Sequence, residues 1–295
     1  MKNNNTKLLP SGFRDLLPVE AEREFAIINL FVSAFQKNGF KLVKPAIAEY
    51  ENTAEEQKNS FKLFDINTEQ NLVFRSDITP QIARIIKSGM LGNKFPLKLC
   101  YSGQVLRLKT EDLYKDRQIT QLGLEIIGSK ENDIISFFKM LVAVLKKLKL
   151  DKIIINLNFP YLLKELVEEL NLTEEKQQEL LRAIKQKNLT GLQNYKKIYS
   201  IIENSLFGVA EKTLPPLYKN LSKLKTSGVD FSYDLLDILD YSYDSSLAFT
   251  IYGVNHGERE EIGRGGAYFI DDVDKDDSKI PSFGFSISVN NLLRL

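Results

Sequence analysis

The run Ile119-Thr-Gln-Leu-Gly-Leu-Glu-Ile-Ile-Gly128 is the part of this sequence whose residue types and spacing come nearest to chemistry. Strand alternation sends Leu122, Leu124 and Ile126 to one face and Gln121, Gly123 and Glu125 to the other. The second face then carries an amide and a carboxylate on either side of a glycine, a bare patch where a ligand could approach the backbone. In the preceding segment Leu106 and Leu108 point one way and Arg107 the other. In a matching hairpin register, Arg107, Gln121 and Glu125 share a polar face. That set suits a zwitterion, with the arginine fork for a carboxylate and Glu125 for an ammonium group. The plainer alternative is the solvated side of an antiparallel sheet.

Three further segments contain polar groups at special places. Arg75-Ser-Asp77-Ile-Thr79-Pro80 stands where a strand gives way to a helix, and capping alone explains Asp77 and Thr79. Arg264-Gly265-Gly266 could form an anion-binding backbone nest, although so short a motif is weak. His256, in Val-Asn-His-Gly-Glu, reads as a hairpin-turn residue rather than a catalytic base. There is no P-loop, no G-x-G-x-x-G and no nucleophile elbow.

The elements that would position these groups can be read along the chain. A helix is expected from Pro18 to Asn38, with Ile28, Phe31, Val32 and Phe35 on its buried stripe and Gly39 as its stop. Strands follow at Phe40–Ala46 and Asn71–Asp77, then a helix capped by Thr79 that ends at Gly89. Leu97–Lys109 and Arg117–Gly128 form a hairpin around the connection Thr110–Asp116, longer than a tight turn requires. A helix carrying Ile134, Phe138, Leu141, Leu145 and Leu148 on one stripe leads to a strand at Lys152–Leu157. From about 160 to 240, leucine, lysine and glutamate dominate, as in a helical insertion. Leu247–Val254, Glu261–Ile270 and Phe283–Ile287 return to strand patterning, and the acidic run Asp271–Asp277 reads as a solvated loop. The fold class is therefore α+β, a mostly antiparallel sheet flanked by helices.

Composition narrows the function. With 295 residues, 43% hydrophobic and 27% charged, the chain can bury a large core without staples. Forty basic residues against 39 acidic ones leave +1, so no global field recruits nucleic acid or a membrane surface. The single cysteine, Cys100, excludes an internal disulfide or a thiolate zinc site, and the single histidine excludes poly-histidine metal sites. No apolar run reaches about 18 residues and Met1–Pro10 has no signal-peptide core, so a cytoplasmic soluble protein is expected. Lysines outnumber arginines 30 to 10, which favours using an arginine for its planar fork.

In order, these pieces resemble the catalytic core of class II aminoacyl-tRNA synthetases, most closely histidyl-tRNA synthetase. Pro10-Ser-Gly-Phe-Arg-Asp-Leu-Leu-Pro18 looks like that enzyme's opening, and Gly39-Phe40 through Pro45 and Glu49 like its first, dimer-forming motif. Val105-Leu-Arg-Leu and Gln121-Leu-Gly-Leu-Glu125 look like the second motif, and Gly284-Phe-Ser-Ile-Ser-Val-Asn-Asn-Leu292 like the third. The match spans nearly the whole chain, residues 1–295, interrupted only by the insertion; an anticodon-binding domain is not expected.

The departures fall at the nucleotide contacts. The second motif has Lys109 where the family carries a glutamate, and the third has Asn291 where it carries an arginine. The family's arginine-glycine-leucine-aspartate-tyrosine-tyrosine signature aligns with Tyr241-Ser-Tyr-Asp244-Ser245-Ser246, which lacks the arginine and both tyrosines. Losing such cations from a phosphate site is hard to reconcile with adenylation. A synthetase core altered in this way is similar to the regulatory subunit of ATP phosphoribosyltransferase, and Arg75-Ser-Asp-Ile-Thr-Pro-Gln81 fits that subfamily better than the synthetase. The resemblance implies a non-catalytic chain, with no cofactor and no metal, that forms a homodimer within a hetero-oligomer with the short-form catalytic subunit. It also implies that histidine is the feedback effector, either in a pocket of Asp77, Thr79, Arg107, Gln121, Glu125 and Arg264 or at the contact with the catalytic subunit. A truncated adenylating enzyme and a scaffold with a dead pocket stand as alternatives.

Overall fold

The computed structural model describes residues 9–52, 59–92, 94–110, 116–161, 167–168, 170–186, 188–193, 195–196, 199, 216–234, 246–271 and 279–295. Helix α1 (Pro18–Lys37) has its proline in the first turn, where a missing N–H costs nothing. It buries Ile27, Phe31 and Phe35, while Ile28 and Val32 are only half-buried, so the stripe is rotated by part of a turn from the one expected. Two short strands follow, β1 (Lys41–Val43) and β2 (Ala48–Tyr50), then β3 (Lys62–Asp65), β4 (Gln70–Phe74) and helix α2 (Thr79–Lys87). The hairpin is β5 (Leu97–Leu106) with β6 (Gln118–Ile127), followed by α3 (Glu131–Leu145) and β7 (Lys152–Asn158). Beyond it are α4 (Glu174–Lys185), α5 (Pro216–Ser222), β8 (Val229–Tyr233), β9 (Ala248–Asn255), β10 (Glu258–Asp271), β11 (Lys279–Ser288) and α6 (Val289–Arg294).

Eight strands form the main sheet in the order β1-β5-β6-β11-β10-β9-β7-β8; only the outermost pairs, β1·β5 and β7·β8, are parallel. β2, β4 and β3 make a separate antiparallel sheet. The span 160–240 is thus not helical throughout, since β8 within it completes the edge of the main sheet. β2 and β3 were too short for alternation to reveal. His256, at φ +50°, sits with Gly257 in the β9–β10 turn, as a two-residue hairpin with two positive φ angles requires.

The two faces of the main sheet have different duties. One packs Leu122, Leu124, Ile126, Phe249, Phe283 and Phe285 against α1 and α3 through Phe31, Phe35, Phe137 and Phe138. The rings interlock, with Phe137 and Phe283 5.0 Å apart edge to face and Phe249 stacked on Phe283 at 5.9 Å. Each such buried side chain contributes roughly 1.5–3 kcal/mol. The opposite face meets α2 through Ile78, Ile82, Leu99 and Val105, and beyond that contact it is polar.

Candidate functional site

Register alone assembles the polar face. Tyr101, Gly123, Ser286, Arg264, Thr250 and Asn156 lie directly opposite one another across β5, β6, β11, β10, β9 and β7. The next row is Leu99, Glu125, Gly284, Gly266, Ala248 and Asn158. Paired residues point to the same side, so both rows belong to one surface.

Glu125 is fully buried at the centre of its own cluster. It accepts hydrogen bonds from the Tyr268 hydroxyl at 2.7 Å, the Thr79 hydroxyl at 3.0 Å and the Tyr101 hydroxyl at 3.5 Å. Its carboxylate lies over Gly284, where a Cβ would land within the carboxylate itself, and the Tyr101 ring lies over Gly123 in the same way. The bare patch expected at Gly123 is therefore filled by a phenol. Burial pushes the Glu125 carboxyl up to about 8, with the nearby Asp77 charge adding to the rise; the Tyr268, Thr79 and Tyr101 hydroxyls pull against it. Burial and the Glu125 charge push both phenols well above their ordinary range, so they stay protonated donors.

Beside this cluster the N-terminus of α2 is tied to the sheet. The Gln121 side chain donates to Asp77 Oδ1 at 3.0 Å and accepts the Ile78 N–H at 2.9 Å. Asp77 also accepts the Thr79 N–H at 2.9 Å. Asp77 rather than Thr79 serves the first turn, and the Thr79 hydroxyl is released to face Glu125. Asp77, Thr79, Gln121 and Glu125 thus come together as one site. Its rim opens into a cavity of about 330 Å³ lined by Thr79, Pro80, Ala83, Lys87, Tyr268 and Asp271 among others. The site can hold an ammonium group or a ring N–H against two carboxyl groups; it presents no nucleophile.

The two arginines do not join it. Arg107 shares the face, but in register it is four residues beyond Gly103, the partner of Gln121, about 13 Å along the strand. Its Nε reaches the Ser76 carbonyl at 3.4 Å. Hairpin alternation gave its side correctly and its distance wrongly. Arg264 is on the face too, yet its guanidinium forms a two-point pair with Glu261, and its backbone is extended between two partner strands rather than curled into a nest.

At the other end of the face the residues of the third motif tie neighbouring elements together. The Asn290 amide accepts the Thr120 N–H at 2.9 Å and donates to Asp116 at 3.0 Å and to the Gln118 carbonyl at 3.1 Å. Asn291 donates to the Glu261 carbonyl at 2.6 Å and accepts from Arg294 at 3.0 Å, while Arg294 also pairs with Asp116 at 2.7 Å. Lys109 is pinned through its backbone to the Asn59 side chain. Residues 241–245 of the aligned signature lie outside the described residues; Ser246 is exposed. Among the described residues no group of acidic, cysteine or histidine side chains is arranged to hold a metal.

Tyr101 and Tyr268 were not singled out from the sequence. Both occupy strand positions of the same parity as the polar face, which was the available signal.

A family model described as histidyl-tRNA synthetase matches residues 12–204 and 200–292. A protein named ATP phosphoribosyltransferase regulatory subunit from Rhodospirillum rubrum is 32% identical over 289 residues, covering 88% of this chain and 75% of that protein. A solved structure described as an ATP phosphoribosyltransferase regulatory subunit/histidyl-tRNA synthetase from Bacillus halodurans superposes with a TM-score of 0.77 at 23% identity, covering 100% of this chain and 84% of its own. A chain of the ATP phosphoribosyl transferase (HisG:HisZ) complex from Thermotoga maritima gives a TM-score of 0.69 at 21% identity, over 90% of this chain and 97% of that one.

Proposed function

The chain belongs to the histidyl-tRNA synthetase family, and within it to the regulatory subunits of ATP phosphoribosyltransferase; from that membership we propose that it acts in the first step of histidine biosynthesis without catalysing any reaction itself. Its working partner is the short-form catalytic subunit, in a hetero-oligomer that also contains a homodimer of this chain. Histidine is the effector, held by Asp77, Thr79, Gln121 and Glu125. Arg264 is the nearer of the two arginines in register, though engaged by Glu261, and Arg107 lies at the margin. Among the described residues no helix is long and apolar enough to cross a membrane, which accords with a cytoplasmic setting.

The observation that carries this reading is the occupied third motif. Asn291 is 1% exposed and its amide is committed to the Glu261 carbonyl, so the position where the family carries an arginine offers a nucleotide no cation. Lys109 stands where the family carries a glutamate that helps hold ATP, so that nucleotide contact is replaced as well. Given ATP, magnesium, histidine and labelled pyrophosphate, the purified chain is expected to give no exchange above a no-protein control. Histidine-dependent exchange would sink the reading in favour of an adenylating enzyme.

Mixing supplies the positive test. The chain should restore activity to a short catalytic subunit that is inactive alone, and histidine should suppress the restored activity. No gain on mixing would remove the regulatory claim, and a gain insensitive to histidine would leave a scaffold with a dead pocket. The homodimer contact proposed from the resemblance is Phe40–Glu49, a reading supported by the exposure of Leu42 on the edge strand β1 and of Ile47 just beyond it. Light scattering showing a monomer at micromolar concentration would refute it.

A further inference from the structure

On the side of the sheet away from the pocket, α1 and α3 leave between them a groove of about 760 Å³. Its floor is apolar, from Leu30, Ala34, Met140 and Val144, and its walls drop away where the two helices present Ser33, Ser136 and Ala143. Lys37, Lys139 and Lys147 stand around it, and no carboxylate lines it. All three lysines are exposed, and none of them has an ion pair among the described residues. The lining runs over residues 29–38, along α1 and its C-cap, and 136–147, along α3 and the short turn that follows it, about three helical turns of each, or some 15–18 Å.

We infer that this groove docks an amphipathic helix of about three turns whose apolar side fits the floor and whose flanks carry carboxylates, contributed by the catalytic partner. The inference rests on the regulatory reading above for the identity of that partner. An apolar floor favours a protein side chain over a phosphate backbone, and three uncompensated lysines select acidic flanks over neutral ones. A second copy of this chain is a poor occupant. Its described helices offer no matching face: α1 interleaves Arg23 among Glu20, Glu22 and Glu24, and α4 interleaves Lys176 and Arg182 among Glu174, Glu175 and Glu179.

The test is assembly of the full chain with the short catalytic subunit, followed by light scattering and calorimetry at several salt concentrations. Wild-type affinity should fall as salt rises. The triple variant Lys37→Glu, Lys139→Glu, Lys147→Glu should weaken assembly by roughly tenfold or more. A separate variant, Ala143→Trp, fills the groove and leaves the charges in place; it should weaken assembly as well. Both variants should keep the wild-type affinity of the isolated chain for histidine, which reports that the sheet is folded. If both assemble like wild type, the groove is not the docking site. If instead the lysine variant loses affinity for a double-stranded RNA probe while assembly is unchanged, the groove serves nucleic acid and the proposal is overturned. A wild-type chain that never assembles with the catalytic subunit removes both this proposal and the regulatory reading.

Discussion

Around Glu125 the buried polar groups converge on one carboxyl, whereas around Asn291 they run along the chain and fasten one element to the next. The first arrangement stores electrostatic cost. Glu125 is desolvated, with the Asp77 charge nearby and three hydroxyls that only partly offset the burial, so its carboxyl is pushed up to about 8. The second is free of such cost, because each amide of Asn290 and Asn291 meets a carbonyl, a carboxylate or an N–H. One region of the polar face thus holds a carboxyl with no cationic partner among the described residues, and the other is complete as it stands. The first responds to ligand and pH; the second responds only to damage.

The largest expected effect probes the carboxyl half. Glu125 keeps its proton to about pH 8 in the folded chain, whereas its ordinary value is 4.5. Its share of stability is therefore whole below pH 4.5 and is lost as pH rises through 8, a span of up to ~5 kcal/mol. Urea unfolding of wild type and Glu125→Gln at pH 5 and pH 8.5 should show the variant gaining on wild type at the higher pH. The same variant should weaken histidine inhibition of the assembled enzyme by at least about an order of magnitude. A parallel pH dependence for both chains would break the comparison, and unchanged inhibition would move the effector elsewhere.

Next comes damage to the complete half. Asn290→Leu leaves the Thr120 N–H, the Gln118 carbonyl and Asp116 short of a partner, at a cost of about 2–4 kcal/mol in denaturant unfolding. Histidine affinity of the folded fraction should stay at the wild-type value. A change in affinity without a change in stability would mean that this half also reads the ligand.

Tyr268→Phe sharpens the contrast more gently. It removes the shortest donor to Glu125, so the carboxyl should titrate above its wild-type midpoint by NMR, an effect of about 1 kcal/mol. A midpoint that moves down would show that the phenol was not stabilising the charge. The smallest effect is expected from Lys109→Glu, which restores the family's charge at that position. Stability should change by less than about 0.5 kcal/mol and pyrophosphate exchange should remain absent. Exchange appearing in this variant would show that the nucleotide corner was never closed.

Much of this arrangement was legible in the sequence. Alternation in Ile119–Gly128 gave the right faces for Gln121 and Glu125, and the turn at His256 followed from the His-Gly pair. The rows across six strands could not be read, because register between distant strands is fixed by tertiary packing and leaves no local signature. Arg107 shows the same limit at shorter range: parity fixed its side, but hairpin register set it several residues away from its expected companions. Asp77 displaced Thr79 as the group serving α2 because a carboxylate two residues before an N–H reaches it readily. Tyr101 and Tyr268 escaped notice because a tyrosine in a strand ordinarily reads as packing.

The two side chains laid over glycines couple positions on neighbouring strands. Gly284 is directly opposite Glu125, and Gly123 directly opposite Tyr101. The first pair behaves as a shape and its mould, so the glycine cannot be enlarged while a side chain as long as Glu125 stands over it. In a library randomised at all four positions and selected for histidine response, a larger residue at 284 should survive only with a shorter one at 125. At 123 no side chain should survive, even where the ring at 101 has been lost, because the Phe285 carbonyl stands too close to where its Cβ would be. The sheet beneath Glu125 can then be reshaped only by paired exchange at 125 and 284, which makes it slow to drift and hard to retune one residue at a time.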